Sequence, residues 1–173
     1  ISQLMNKHTN ICLNVILDHS RHLLNRLHDN SIDVCFSYLA TNEISYKCIP
    51  YKTDEIIFVT NSQNIQFSNG IHNGEILHLP IIYSKFMPKS GFDWIHDIFP
   101  PHYVFQFTIS VIKEIIPFLL QYPYYAFLPR KLIEKELKDG LLIEIPLLDY
   151  HIPPLQSYII MKSNAKYNPL DYF

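Results

Sequence analysis

The run Asn10 to Leu17 (NICLNVIL) is apolar, with a period of two at Ile11, Leu13, Val15 and Leu17. Side chains two apart line one face of an extended chain, so the run predicts a strand. From Ser20 the period lengthens. Leu23, Leu24 and Leu27 fall on one helical face, with Asp18 or Ser20 as N-cap and Asp29-Asn30-Ser31 as the stop. Ile32 to Tyr38 (IDVCFSY) predicts a second buried strand. Together these elements span about thirty residues, the size of a βαβ crossover. Such a unit predicts parallel strands with helices on the sheet faces.

The alternation of element types continues downstream. Tyr46 to Tyr51, Glu55 to Thr60, Ile81 to Tyr83, Tyr103 to Phe107, Tyr124 to Leu128, Leu142 to Ile145 and Gln156 to Met161 read as extended. Ile76 to Pro80 is a short segment leading into Ile81. Phe92 to Phe99 reads as a short amphipathic helix. Ser110 to Leu120 has helical spacing with Pro117 inside it, which predicts a kink. Arg130 to Lys138 reads as a helix closed by Asp139-Gly140. Asn168-Pro169 opens a last helix, with proline at its first position. This alternation predicts an α/β fold. The polar stretch Asn61 to Asn69 and the proline-bearing stretch Asp149 to Pro154 predict two crossings between two lobes with a ligand cleft.

Composition narrows the function classes. Apolar residues make up 48% of the 173, enough for a core, and charged residues only 17%. Fourteen Lys and Arg against sixteen Asp and Glu leave a net charge of -2, against a nucleic-acid-binding module. The four glycines, Gly70, Gly74, Gly91 and Gly140, form no phosphate cradle, so no nucleotide cofactor is predicted. Cys12, Cys35 and Cys48 form no CxxC pair, and Cys12 and Cys35 lie in apolar runs. They read as buried reduced thiols in a cytoplasmic protein. The first ten residues carry no secretory signal, and both chain ends read as cuts through a larger protein. Val111 to Pro129 is the most apolar long stretch, but Lys113, Glu114, Pro117 and Pro123 interrupt it, so no membrane span is predicted.

Candidate chemistry is sparse. His19 and His22, beside Asp18 and one turn before His28, are the nearest approach to a metal set. No second cluster completes a tetrahedral site, so the metal prediction is none. No GxSxG elbow occurs, and no cysteine has a base in a known local signature, so no catalytic residue is predicted. Tyr122, Tyr124 and Tyr125 have no basic groove beside them and read as core packing rather than a base-stacking surface.

The run VILDHSRHLLNRLHDNSIDVCFSY (Val15 to Tyr38) resembles the effector-binding domain of LysR-type transcriptional regulators. In that family a strand, a hydroxyl-bearing turn and a leucine-patterned helix lead to a hydrophobic-Asp pair and an apolar strand. Here the pair is Ile32-Asp33. IPYKTDEIIFVTNSQN (Ile49 to Asn64) resembles the strand pair that delivers the chain to the second lobe, and ILHLPIIY the segment entering that lobe's sheet. YYAFLPRKLIEKELKDGLLIEIPL (Tyr124 to Leu147) resembles the family's strand–Leu-Pro–helix–Gly-Leu arrangement. SYIIMKSNAKYNPLDYF resembles the returning strand and final helix.

The resemblance covers about Ile11 to Phe173. It implies a two-lobed type 2 periplasmic-binding-protein-like fold lacking its first strand. Lobe I would hold residues 1–59 and 151–173, and lobe II residues 60–150. The family's N-terminal winged helix-turn-helix has no counterpart in this sequence, so DNA would be reached only through that other domain. The resemblance further implies a small-molecule effector, a homodimer and, for the full-length protein, an open question of dimer or tetramer. His19 stands where the family has glycine, and Gln121-Tyr122-Pro123 where it has a small turn, which enlarges the side chains near the expected pocket.

Carried over one position at a time, Ser20 stands at the helix N-terminus, where backbone N–H groups favour an anionic ligand such as a carboxylate. Arg21 is the nearest cation to that point. Ser37 and Tyr38 follow the next strand. Tyr83 and Ser84 end the first strand of lobe II, Thr108 and Ser110 precede its long helix, and Phe127 lies on the strand before Pro129. The expectation is an effector-sensing, non-enzymatic domain. A transporter's solute-binding protein is the alternative. An enzyme on the same fold would need an acid–base set that the sequence does not offer.

Overall fold

The computed structural model describes residues 12–84 and 94–164. The chain divides into two compact units: unit 1 is Ile1–Lys52 with Ser157–Phe173, and unit 2 is Thr53–Gln156. The expected divisions lay after residue 59 and after residue 150. The divisions between the units fall within the strands Tyr46–Asp54 and Leu155–Lys162.

Unit 1 is built from α1 (Ser20–His28), β1 (Val34–Ser37), most of β2 (Tyr46–Asp54) and most of β8 (Leu155–Lys162). The sheet order is β1-β8-β2, and β1 runs antiparallel to β8 with Cys35 opposite Ile160. The parallel crossover predicted from the sequence is therefore not formed here. Leu23 and Leu27 of α1 pack on Cys35 and Ile160, with Tyr46, Cys48 and Tyr158 around them. The helix ends where Asn30 takes a positive φ of 63°. Lys162 Nζ then donates to His28 O at 2.9 Å and to the side-chain oxygen Asn30 Oδ1 at 2.6 Å, placing a cation at the carbonyl end of the helix.

Two expectations for unit 1 are corrected. Residues 12–17 form no strand, and Leu13, Val15 and Leu17 are exposed, Leu17 at 90%. Alternation supplies a face but not a ladder partner, and none of the described strands pairs with this segment. Cys12 is likewise exposed rather than buried. Ile11 and the helix expected from Asn168 lie outside the described residues.

Unit 2 holds a five-stranded sheet in the order β5-β4-β6-β3-β7. Its strands are β3 (Ile56–Asn61), β4 (Ile81–Ser84), β5 (Phe107–Ile109), β6 (Tyr125–Pro129) and β7 (Leu142–Glu144). β4 is parallel to β5 and β6, whereas β3 is antiparallel to β6 and β7. The short helices are α2 (Asn73–Ile76), α3 (Ile95–Ile98), α4 (Ile115–Gln121) and α5 (Glu134–Lys138).

The strands alternate between two different cores. Ile57, Val59, Ile82, Ala126 and Leu128 face Ile115 and Leu119 of α4, together with Ile133 and Leu142. The other face is aromatic. Phe58 stacks on Tyr125 at 5.5 Å and tilts against Phe127 at 4.6 Å. Trp94 and Phe99 pack edge-on to Phe127, and Phe105 lies between Phe99 and Tyr83. The alternation at Tyr103 to Phe107 belongs to this packing. Tyr103 and Phe105 turn inward, Val104 is 79% exposed, and the strand begins only at Phe107.

Pro117, expected inside a helix from Ser110, lies near the start of one. A 3-10 turn at Ile112–Glu114 precedes α4, so proline falls in the first helical turn, where its missing N–H has no intrahelical partner to lose. α5 closes as its sequence predicts. Gly140 takes φ 67°, and Leu141 N reaches back to Glu136 O at 2.9 Å.

Candidate functional site

In unit 1 the expected residues converge where α1 begins and β1 ends. The N-cap of α1 is His19, not Asp18 or Ser20. Asp18 sits one residue earlier and takes the His22 ring at 2.9 Å and His19 N at 2.8 Å. These contacts hold the Asp18 carboxyl below its usual range, the His22 bond most of all. They fix the direction in which the chain enters the helix. Ser20 is then the first helical residue, and its Oγ accepts from Tyr38 N at 3.2 Å.

The two hydroxyls at this point differ in chemistry. Ser37 is 2% exposed, donates to Leu39 O and accepts from Leu39 N, each at 2.9 Å. Its proton is therefore committed to the turn. Ser20 accepts from Tyr38 but finds no acceptor for its own proton among the described residues. Arg21 is exposed and makes no ion pair among the described residues. The first N–H groups of α1 and the Ser20 hydroxyl form a donor-rich helix start, with Arg21 next in sequence. Leu39, whose backbone holds Ser37, is a residue that the sequence did not single out.

In unit 2 the expected hydroxyls gather at the carboxyl ends of two parallel strands. Tyr83 pairs in register with Thr108, and Ser84 with Ile109, so Ser110 follows directly beyond. Ser84 is buried, while Thr108 and Ser110 are exposed. Open α/β sheets bind ligands outside such strand ends. The two aromatics expected with them are placed differently. Tyr83 stacks on Phe105 at 4.5 Å, and burial pushes its phenol above the usual range. Phe127 is 5% exposed within the aromatic core. Both stand behind the strand ends as packing.

Two polar clusters in unit 2 have no local sequence signature. Arg130 bridges Glu55 and Glu144, while Lys131 Nζ lies 3.0 Å from both Thr53 O and Asp54 Oδ1. His72 pairs with Asp149 at 2.8 Å. Their partners are far apart in sequence, so no spacing rule reveals them. Among the described residues no three His, Cys, Asp or Glu side chains could hold a metal ion, and no helix is long and apolar enough to cross a membrane.

No curated protein matches the chain at the sequence level. A mutant OxyR of Corynebacterium glutamicum, bound to H2O2, superposes with a TM-score of 0.71 at 18% identity over 95% of this chain. This chain spans about half of that one, 53% of its length. The regulatory domain of MetR, a LysR family regulator from N. meningitidis, gives 0.74 at 12% identity, covering 99% of this chain and 81% of its own. The BenM effector-binding domain with its effector benzoate gives 0.69 at 14% identity, covering 99% of this chain and 79% of its own. At such identities these structures establish the fold, which is periplasmic-binding-protein-like. The family model for the LysR substrate binding domain matches residues 1–170, and the chain therefore belongs to that family of effector-sensing regulatory domains.

Proposed function

We propose that this chain is the effector-binding and dimerisation domain of a bacterial LysR-type transcriptional regulator acting in the cytoplasm. It would control DNA binding through a separate domain and carry out no turnover. Unit 1 corresponds to lobe I and unit 2 to lobe II in this reading. The effector is a small carboxylate. A ligand with different affinity for two arrangements of a homodimer, or of a tetramer in the full-length protein, shifts their populations and so the geometry offered to DNA.

The observation that carries the carboxylate reading is the Ser20–Tyr38 junction. There a hydroxyl with an uncommitted proton sits on the first turn of a nine-residue helix. A carboxylate there accepts from the hydroxyl and from the free N–H groups, with the helix dipole behind them. Within unit 2, Ser84, Thr108 and Ser110 are proposed ligand contacts in their own right at the strand ends, with Tyr83 and Phe127 packed behind them. A transporter's solute-binding role is not favoured, since the family model and the neighbouring structures are those of regulators.

A thermal-shift screen against aromatic and aliphatic carboxylates tests this reading. A true effector stabilises the fold by about 2.7 kcal/mol at a hundredfold excess over Kd, and the compound is recovered unchanged. Stabilisation by neutral analogues alone would contradict the carboxylate assignment. Chemical conversion of a hit would contradict the sensor reading.

A further inference from the structure

Within unit 2, two segments distant in sequence lie side by side: Gly70 to Asn73, entering α2, and Pro146 to Asp149. Ile71 and Leu147 form an isolated parallel bridge. Ile71 N donates to Pro146 O and Leu148 N to Ile71 O, each at 2.9 Å. The approach is close enough that a Cβ on Gly70, which takes φ 110°, would meet Leu148 Cδ2 at 2.6 Å. Ile71 is fully buried beneath the bridge.

One side-chain pair closes this contact. The His72 ring Nδ1 is 2.8 Å from Asp149 Oδ1, and Asn73 N donates to Asp149 Oδ2 at 3.0 Å. One carboxylate thus holds both the imidazole and a free N–H at the start of α2. From α2 itself, Glu75 accepts from His72 N at 3.0 Å. Among the described residues, Asp149 and Glu75 are the charged groups that act on His72. Beyond Asp149 the chain is tied once more, by Tyr150 OH to Asp97 Oδ2 at 2.6 Å.

We propose that His72 and Asp149 form a proton-sensitive clasp that fastens the Pro146 to Asp149 segment to the loop entering α2. The geometry sets its direction. Both facing groups are carboxylates, so the imidazolium is the better-held form. The Asp149 hydrogen bond, then the Asp149 and Glu75 charges, raise the His72 pKa. The same hydrogen bond, with that from Asn73 N, lowers the Asp149 pKa. The imidazolium's contribution is full below the ordinary histidine value and is lost as pH rises through the raised one. The carboxylate's contribution is full above the ordinary aspartate value and is lost as pH falls through the lowered one. The clasp is therefore tightest in mild acid and loosens toward alkaline pH. The segment it holds continues to Leu155 and β8, so the clasp acts on the stretch of chain that leaves unit 2.

Hydrogen exchange of the intact chain, corrected for intrinsic rates, tests this between pH 5.5 and 8.5. Peptides covering Ile71 and Leu148 should lose about two- to fivefold in protection as pH rises, the range expected for an exposed ion pair. H72Q, which keeps a donor but does not titrate, should show no such change. NMR titration should find the His72 pKa raised, and returned toward the ordinary value in D149N. Equal pH dependence in the wild type and H72Q would overturn the proposal, as would an unchanged His72 titration in D149N. Both side chains are exposed, so these variants should fold.

Discussion

Unit 2 buries both faces of its sheet, and it does so with two kinds of side chain. Aliphatics and α4 cover one face, and interlocked aromatic rings the other. Unit 1 has a three-stranded sheet whose described core is α1 against Cys35 and Ile160. Its apolar row at Leu13, Val15 and Leu17 remains in solvent. The contrast separates two tasks. A doubly covered sheet holds the strand ends at Ser84 and Thr108 to fixed positions. In unit 1 β8 buries Ile159, Ile160 and Met161 in succession, and at the Ser20–Tyr38 junction the start of α1 is tied to the end of β1 by the hydrogen bond from Tyr38 N to Ser20 Oγ.

The largest effect should follow from opening the aromatic face. Phe58→Ala removes a ring that touches both Tyr125 and Phe127 and should cost about 3–5 kcal/mol by denaturant titration. Leu27→Ala in unit 1 should cost about 2–3 kcal/mol, because it removes a smaller, aliphatic side chain rather than a ring with two aromatic neighbours. Equal costs at the two sites would erase the distinction between the cores. Gly70→Ala adds strain at a positive φ as well as the clash with Leu148 and should cost about 1–3 kcal/mol. Leu17→Ser should change stability by less than about 0.5 kcal/mol, since a 90% exposed side chain has little burial to lose. A large loss there would show that the row is covered in solution.

These sites also mark where the sequence was readable. α1, β3, β6 and α5 follow local rules: leucine spacing, short apolar runs, Pro129 as the last residue of a strand and Gly140 after a helix. The order of those motifs also carried the family. The Leu13 to Leu17 alternation misled because a strand needs a partner, and pairing is not written locally. The place of Pro117 in the first turn of α4 was not legible, because the helix start is set by the 3-10 turn before it. Ser20 at a helix start and Ser37 at a strand end could be placed from the sequence, but the different fates of the two serine protons could not. Those depend on the Leu39 turn and the Tyr38 N–H. The 77-residue separation of His72 and Asp149 placed the clasp beyond any spacing rule.

In the proposed function a carboxylate is bound through the uncommitted proton of Ser20. Calorimetric titration of the best carboxylate from the screen into wild type, Ser20→Ala and Ser20→Thr tests this. Ser20→Ala should bind about tenfold more weakly, the worth of one hydrogen bond to a charged group. Ser20→Thr, which restores the hydroxyl, should recover nearly all of the affinity. Unchanged affinity in a folded Ser20→Ala would contradict it and move the anion site elsewhere in the domain.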